Sequence, residues 1–119
     1  MGVGAHSYSH ADLPLLPYEQ QLDELVRSRE TLEELVGHPV QTMAYPYGRY
    51  AERTQAAARE AGYELACANS GSGPWRALAV PREAVFPSTS TARLRLKAAG
   101  LHRPLQALRS LVPARRSPP

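Results

Sequence analysis

Apolar positions recur at helical spacing between Tyr18 and Val36. Leu22, Leu25, Val26, Leu32, Leu35 and Val36 fall on one stripe, and Asp23, Glu24, Arg27, Glu30 and Glu34 take the other side. The pattern predicts an amphipathic helix with Pro17 near its first turn and a stop at Gly37 and Pro39. Val40–Tyr45 then reads as a short buried strand ending in a Pro46-Tyr47-Gly48 turn. A second helix is expected from about Tyr50 to Ala61 and a second strand over Tyr63–Ala68. The loop Asn69-Ser70-Gly71-Ser72-Gly73-Pro74 is too small and polar to pack. Ala77–Val80 and Val85–Phe86 read as strand fragments. A helix capped by Thr89 or Ser90 is expected from near Thr91, broken at Gly100 and Pro104 and resumed over Leu105–Leu111, with a disordered end beyond it.

Helices and strands in alternation predict an α/β architecture with parallel strands. Two or three such strands cannot cover their own faces and edges, so the pattern looks like a slice of a larger domain.

Composition narrows this picture. The 119 residues suffice for one modest core. The single cysteine, Cys67, excludes an internal disulfide framework and a cysteine-rich zinc site, and is expected as a small core residue. No stretch is long and apolar enough to cross a bilayer and no basic-then-apolar leader opens the chain, so as it stands it reads as cytoplasmic. The net charge of +3 conceals an asymmetry: all 11 acidic residues lie between Asp12 and Glu83, and beyond Pro87 only bases occur. That basic stretch is either a solvated face with a loose tail or an attractor of anions.

Two clusters can carry chemistry. His6 and His10 stand four apart, and neutral imidazoles at that spacing can converge on one cation if the backbone curls. Alone, the spacing is weak evidence, since two histidines four apart often occur by chance. Met43-Ala44-Tyr45-Pro46-Tyr47-Gly48 is a strand running into a tight turn, which exposes backbone amides where active sites form in barrels of alternating strands and helices. It is also what an ordinary strand-to-helix turn looks like.

In combination, the order His6-Ser7-Tyr8-Ser9-His10, Leu13, a charged amphipathic helix, Ala44-Tyr45-Pro46-Tyr47-Gly48 and a helix ending Arg59-Glu60-Ala61-Gly62-Tyr63 resembles the NodB-homology polysaccharide deacetylases, carbohydrate esterase family four. The resemblance runs from His6 to about Ala68 and continues more thinly from Leu78 to Gly100. It implies a partial (β/α) barrel with its N-terminal strands missing, over residues 1–100, followed by a basic helical segment and tail over 101–119. It further implies a divalent metal, zinc by preference, on His6 and His10, and a substrate groove bordered by Tyr45, Pro46 and Tyr47. The backbone amide of Tyr47 would steady the oxyanion formed as water attacks an acetamide. The implied partner is N-acetylglucosamine-containing polysaccharide, with no nucleic acid expected.

The match is incomplete. The family's Thr-Phe-Asp-Asp motif, source of the base and of a third metal ligand, has no counterpart among the five residues before His6, and Asp12 is not promoted to either role. Ala44 stands where many members carry an arginine. No Leu-x-x-His motif is found: His102 reads as a surface residue and His38 as a turn residue at a helix end. A complete four-ligand zinc site gains roughly 10–16 kcal/mol, and two imidazoles should hold far less. The chain is therefore expected to be inactive alone, from a late-called start or a shortened gene, and to need the missing part or self-association. The alternative is a non-catalytic carbohydrate-binding remnant, with Tyr8, Tyr45, Tyr47 and Trp75 stacking on sugars. A third reading places the leucines and arginines beyond Leu94 on an anionic membrane or nucleic acid.

Overall fold

The expected first helix forms as α1, Tyr18–Val36, and ends at Gly37, whose amide donates to the Glu33 carbonyl. Its buried line runs through Gln21, Leu25 and Ser28, with Leu22, Val26, Leu32 and Val36 packed beside it. Leu35, expected on the stripe, is instead 76% exposed. Two polar residues take the central positions because each has a use there. Gln21 Nε2 donates to the Leu16 carbonyl at 2.8 Å. Ser28 lies beside the Tyr63 hydroxyl, which donates to the Leu25 carbonyl at 3.0 Å.

The computed structural model describes residues 2–69 and 76–101, and the chain forms two units, 1–82 and 83–119. In the first unit, a 3-10 turn over Leu13–Leu15 precedes α1, and β1 spans Thr42–Ala44. A second 3-10 turn follows over Pro46–Gly48, then α2, Glu52–Glu60, and β2, Leu65–Ala68. The strand β3 is Val80–Pro81. The helix α2 begins two residues later than the alanine pattern suggests, because Thr54 Oγ1 accepts the Ala51 amide and Ala51 stays extended as the cap.

All three strands are parallel, in the order β1-β2-β3, with Met43 beside Ala66 and Cys67 beside Val80. Ala5 adds a third parallel pairing, on the other side of β1. Its amide donates to the Thr42 carbonyl and its carbonyl accepts the Ala44 amide, each at 2.9 Å. Spatial order thus follows chain order, with α1 and α2 as the intervening crossovers. That is the arrangement of a (β/α) barrel wall, whereas a doubly wound sheet reverses direction at a switch point. The fold is a partial barrel of the expected type.

The core joins Ala5, Leu13, Leu25, Val40, Met43, Tyr45, Ala57, Ala58, Tyr63 and Ala66. Leu13 and Leu25 are fully buried, each contributing roughly 1.5–3 kcal/mol. Cys67 is only half-buried, contrary to expectation, since it lies on the opposite face of β2 from Ala66 and Ala68.

In the second unit, Val85–Phe86 is not a strand. Phe86 instead exchanges hydrogen bonds with Thr89, its amide donating to Thr89 Oγ1 at 3.0 Å and its carbonyl accepting the Thr89 amide at 2.8 Å. The helix α3, Thr91–Ala98, starts at Ser90, whose Oγ accepts the Arg93 amide, and closes at Gly100. His102, Leu105–Leu111, the tail and Trp75 lie outside the described residues. Among the described residues no helix is long and apolar enough to cross a membrane.

Candidate functional site

The parallel strands all end at one edge of the sheet, and the two clusters singled out in the sequence meet there. His6 follows Ala5 directly, so the Ala5–Thr42–Ala44 pairing places it beside β1. Its Nδ1 lies 2.8 Å from the Ala44 carbonyl oxygen. A carbonyl only accepts, so Nδ1 carries the proton and Nε2 keeps its lone pair for a metal. Ala44 thus orients the first histidine through its backbone, which any residue type can do.

Between the histidines the chain turns sharply: Ser7 and His10 both adopt φ 59°. Non-glycine residues rarely occupy this left-handed region, and such strain tends to gather at functional sites. The curl folds His10 back so that the two imidazole centroids are 4.8 Å apart with planes at 66°. Tyr47, in the turn after β1, is the third residue of this kind, at φ 57°. Its ring meets His10 at a centroid distance of 4.8 Å and an angle of 80°.

The turn after β1 is packed tightly from below. Pro46 and Gly48 are buried, and Gly48 sits at φ 66°, where a Cβ would come within 2.5 Å of the Asn69 amide nitrogen. Tyr45 is fully buried, stacks on Tyr50 at 5.3 Å and donates its hydroxyl to the Leu78 carbonyl at 2.9 Å. Burial raises its pKa well above the ordinary tyrosine value, with the neighbouring Tyr50 adding to the effect. Of the expected groove residues Tyr45, Pro46 and Tyr47, only Tyr47 presents its ring to solvent, at 60% exposure. Tyr45 and Pro46 support the turn from within.

Glu24 and Arg27, which the sequence pattern leaves on the polar side of the first helix, reach this edge, as does Arg49, which sequence reasoning did not single out. Glu24, on α1, accepts the Tyr8 amide at 3.0 Å, the Ser9 amide at 2.8 Å and the Ser9 hydroxyl at 2.7 Å. Partial burial pushes its pKa up, but the Ser9 hydroxyl and the two amides outweigh it and hold the carboxyl below its ordinary range. Arg49 donates to Asp12 Oδ2 at 2.6 Å, joining the turn after β1 to the end of the histidine loop. Arg27 stacks over Tyr8 at 4.1 Å from the ring centroid. Only contact geometry shows these partners, since glutamate and arginine at such spacings are also what a wetted helix face contains.

The donor set suits a zinc-like ion in part. Two imidazoles supply two of the four ligands such an ion takes. Among the described residues no group of three or more His, Cys, Asp or Glu side chains is placed to hold one. Asp12 is engaged by Arg49 and Asp23 by Arg27.

The sequence profile of the polysaccharide deacetylase family matches residues 1–66. YxkH of Bacillus subtilis, provisionally named a polysaccharide deacetylase, is 29% identical over 65 residues, which is 55% of this chain and 23% of that protein. A polysaccharide deacetylase from Bacillus cereus superimposes with a TM-score of 0.67 at 27% identity, covering 79% of this chain and 31% of that one. The Streptococcus pyogenes deacetylase PplD, solved with acetate, gives 0.67 at 24% identity, covering 77% of this chain and 42% of that one. The chain thus spans less than half the length of each of these proteins.

Proposed function

The chain belongs to the polysaccharide deacetylase family, and on that premise we propose that it carries the metal-holding part of a site that deacetylates N-acetylated polysaccharide. The observation that carries this reading is the His6–His10 pair. His6 is locked with Nδ1–H on the Ala44 carbonyl, His10 is folded back to 4.8 Å, and Tyr47 closes the group. N-acetylglucosamine polymers are the substrates that this reading favours.

His6 and His10 would hold a divalent ion, zinc by preference. Once bound, such an ion lowers the pKa of a water toward about 7 and polarises an amide carbonyl. The chain's own residues do the remaining work. The Ala44 carbonyl fixes which nitrogen His6 offers. The Tyr47 amide, which has no acceptor among the described residues, is available to donate to the oxyanion of a tetrahedral intermediate, a contact whose loss costs about 2.7–4 kcal/mol. The exposed rings of Tyr8 and Tyr47 offer faces on which a sugar can stack. Asp12 and Asp23 are each paired with an arginine, and among the described residues neither is grouped with the two histidines as a third ligand. A carboxylate from outside these residues completes the site, and the chain alone is expected to be inactive or nearly so.

Calorimetric zinc titration of the chain beside the His6→Ala/His10→Ala double variant tests this reading. Binding at one site that the double variant loses supports it, and a folded chain that takes up no zinc sinks it. The exposure of Tyr8 and Tyr47 favours a second reading, sugar binding without chemistry. Binding of chitin oligomers by the metal-free chain that the His6→Ala/His10→Ala variant retains, with no zinc uptake by either protein, would favour that alternative.

A further inference from the structure

We propose that Glu24 is the positioning residue of the histidine loop: its carboxylate on α1 sets the backbone curl that brings His10 to His6 and Tyr47. The inference extends the reading of His6 and His10 as metal ligands and rests on it only for its consequence in metal binding.

The loop from Ser7 to His10 holds two residues in the left-handed region, an arrangement that needs compensation from its surroundings. The compensation lies between them. Tyr8 and Ser9 are consecutive, and both amides point to the same Glu24 oxygen, Oε2, at 3.0 and 2.8 Å. The other oxygen takes the Ser9 hydroxyl at 2.7 Å. A carboxylate is suited to this task because it accepts at both oxygens and donates from neither. Hydrogen bonds to an ionised acceptor are also about twice as strong as neutral ones.

The geometry also explains why a helix supplies the anchor. Glu24 immediately precedes Leu25, which is fully buried, so its backbone is held by the core and its side chain projects from the rim of the buried line. Arg49 on Asp12 holds the loop's far end, beyond His10, and makes no hydrogen bond to the curl between Ser7 and His10. Glu24 touches neither histidine; it acts through the backbone that carries them.

The test compares the full chain with Glu24→Ala, Glu24→Gln and Glu30→Gln, the last removing a charge from an exposed position on the same helix. The primary readout is the nuclear Overhauser effect between the His10 and Tyr47 ring protons in the metal-free protein, which the edge-to-face contact requires. Glu24→Ala is expected to lose that signal while the amide resonances of β1 and β2 stay in place. Glu24→Gln, which keeps one acceptor oxygen, is expected to retain part of it, and Glu30→Gln all of it. Zinc affinity is expected to fall about tenfold or more in Glu24→Ala alone. An unchanged ring contact in folded Glu24→Ala would overturn the proposal. Should that variant not fold, Glu24→Gln decides: a weakened contact supports the role, and an unchanged one removes it. If the wild-type chain shows the ring contact but binds no zinc, the ligand reading fails, while the ring comparison still decides the role of Glu24.

Discussion

The rings of His10 and Tyr47 meet edge to face, 4.8 Å apart at 80°, and each residue sits in the left-handed region of backbone space. One belongs to the loop after Ala5 and the other to the turn after β1. Two strained turns from adjacent strands are therefore held against each other by an aromatic contact at the strand ends, where the candidate chemistry gathers.

Removing the Tyr47 ring should loosen His10. Aromatic pairs of this geometry contribute about 0.5–1.5 kcal/mol beyond their buried area. Tyr47→Ala is expected to weaken zinc binding by that amount, roughly two- to tenfold, whereas Tyr47→Phe keeps the ring and should bind as the wild type does. Calorimetric titration of the three proteins checks this, and equal affinity for Tyr47→Ala would show that the contact does not position the histidine.

Gly48 allows no side chain. A Cβ would lie 2.3 Å from the Asn69 Cβ and 2.5 Å from its amide nitrogen, and the residue's φ of 66° is itself unfavourable for alanine. Backbone cannot swing aside as a side-chain tip can. Gly48→Ala is expected to cost more than about 2 kcal/mol in urea denaturation, or to prevent folding. A loss below about 0.5 kcal/mol would mean that β2 and the turn separate easily.

Tyr45 is expected to act on stability. Tyr45→Phe keeps the ring and its stacking on Tyr50 but leaves the buried Leu78 carbonyl without its donor. An unpaired buried acceptor costs about 1–3 kcal/mol. Urea denaturation should show that loss, with zinc affinity unchanged because the side chain is buried against Tyr50 and Leu78.

Much of this molecule was readable from residue order. The spacing of Leu22, Leu25 and Val26 gave α1, and Pro39 and Pro46 bracketed β1, because helical periodicity and proline geometry are local properties. His6, His10 and Tyr47 were legible as a group through the family resemblance. Their convergence at one sheet edge depends on the Ala5–Met43 pairing, which no local pattern contains. Tyr45 misled for the opposite reason. It stands in the motif beside Tyr47, yet alternation along an extended strand sends it into the core, and burial outweighs motif membership. Glu24 and Arg49 were invisible because a charged residue pointing at a loop and one pointing at water leave the same trace in sequence.

The remaining prediction concerns alkaline stability and rests on Tyr63. Its ring is buried and its hydroxyl donates to the Leu25 carbonyl at 3.0 Å, tying β2's approach to the middle of α1. Burial pushes its pKa from 10.0 up to about 12, partly offset by Ser28 and Arg29. In the unfolded chain the same phenol ionises near its ordinary value of 10.0. Between these two values the unfolded state holds fewer protons than the folded one, so stability falls as pH rises. The contribution is fully present below pH 10.0 and is lost as pH climbs through about 12. With about 1.4 kcal/mol per pKa unit, the loss is on the order of 2 to 3 kcal/mol. Urea midpoints measured across that window should drop for the wild type and drop less steeply for Tyr63→Phe. The variant should start lower near neutral pH, having lost the bond to Leu25. The slope should not vanish, because the buried Tyr45 hydroxyl is shifted in the same direction. Parallel slopes for the two proteins would place the alkaline transition elsewhere and remove Tyr63 as its cause.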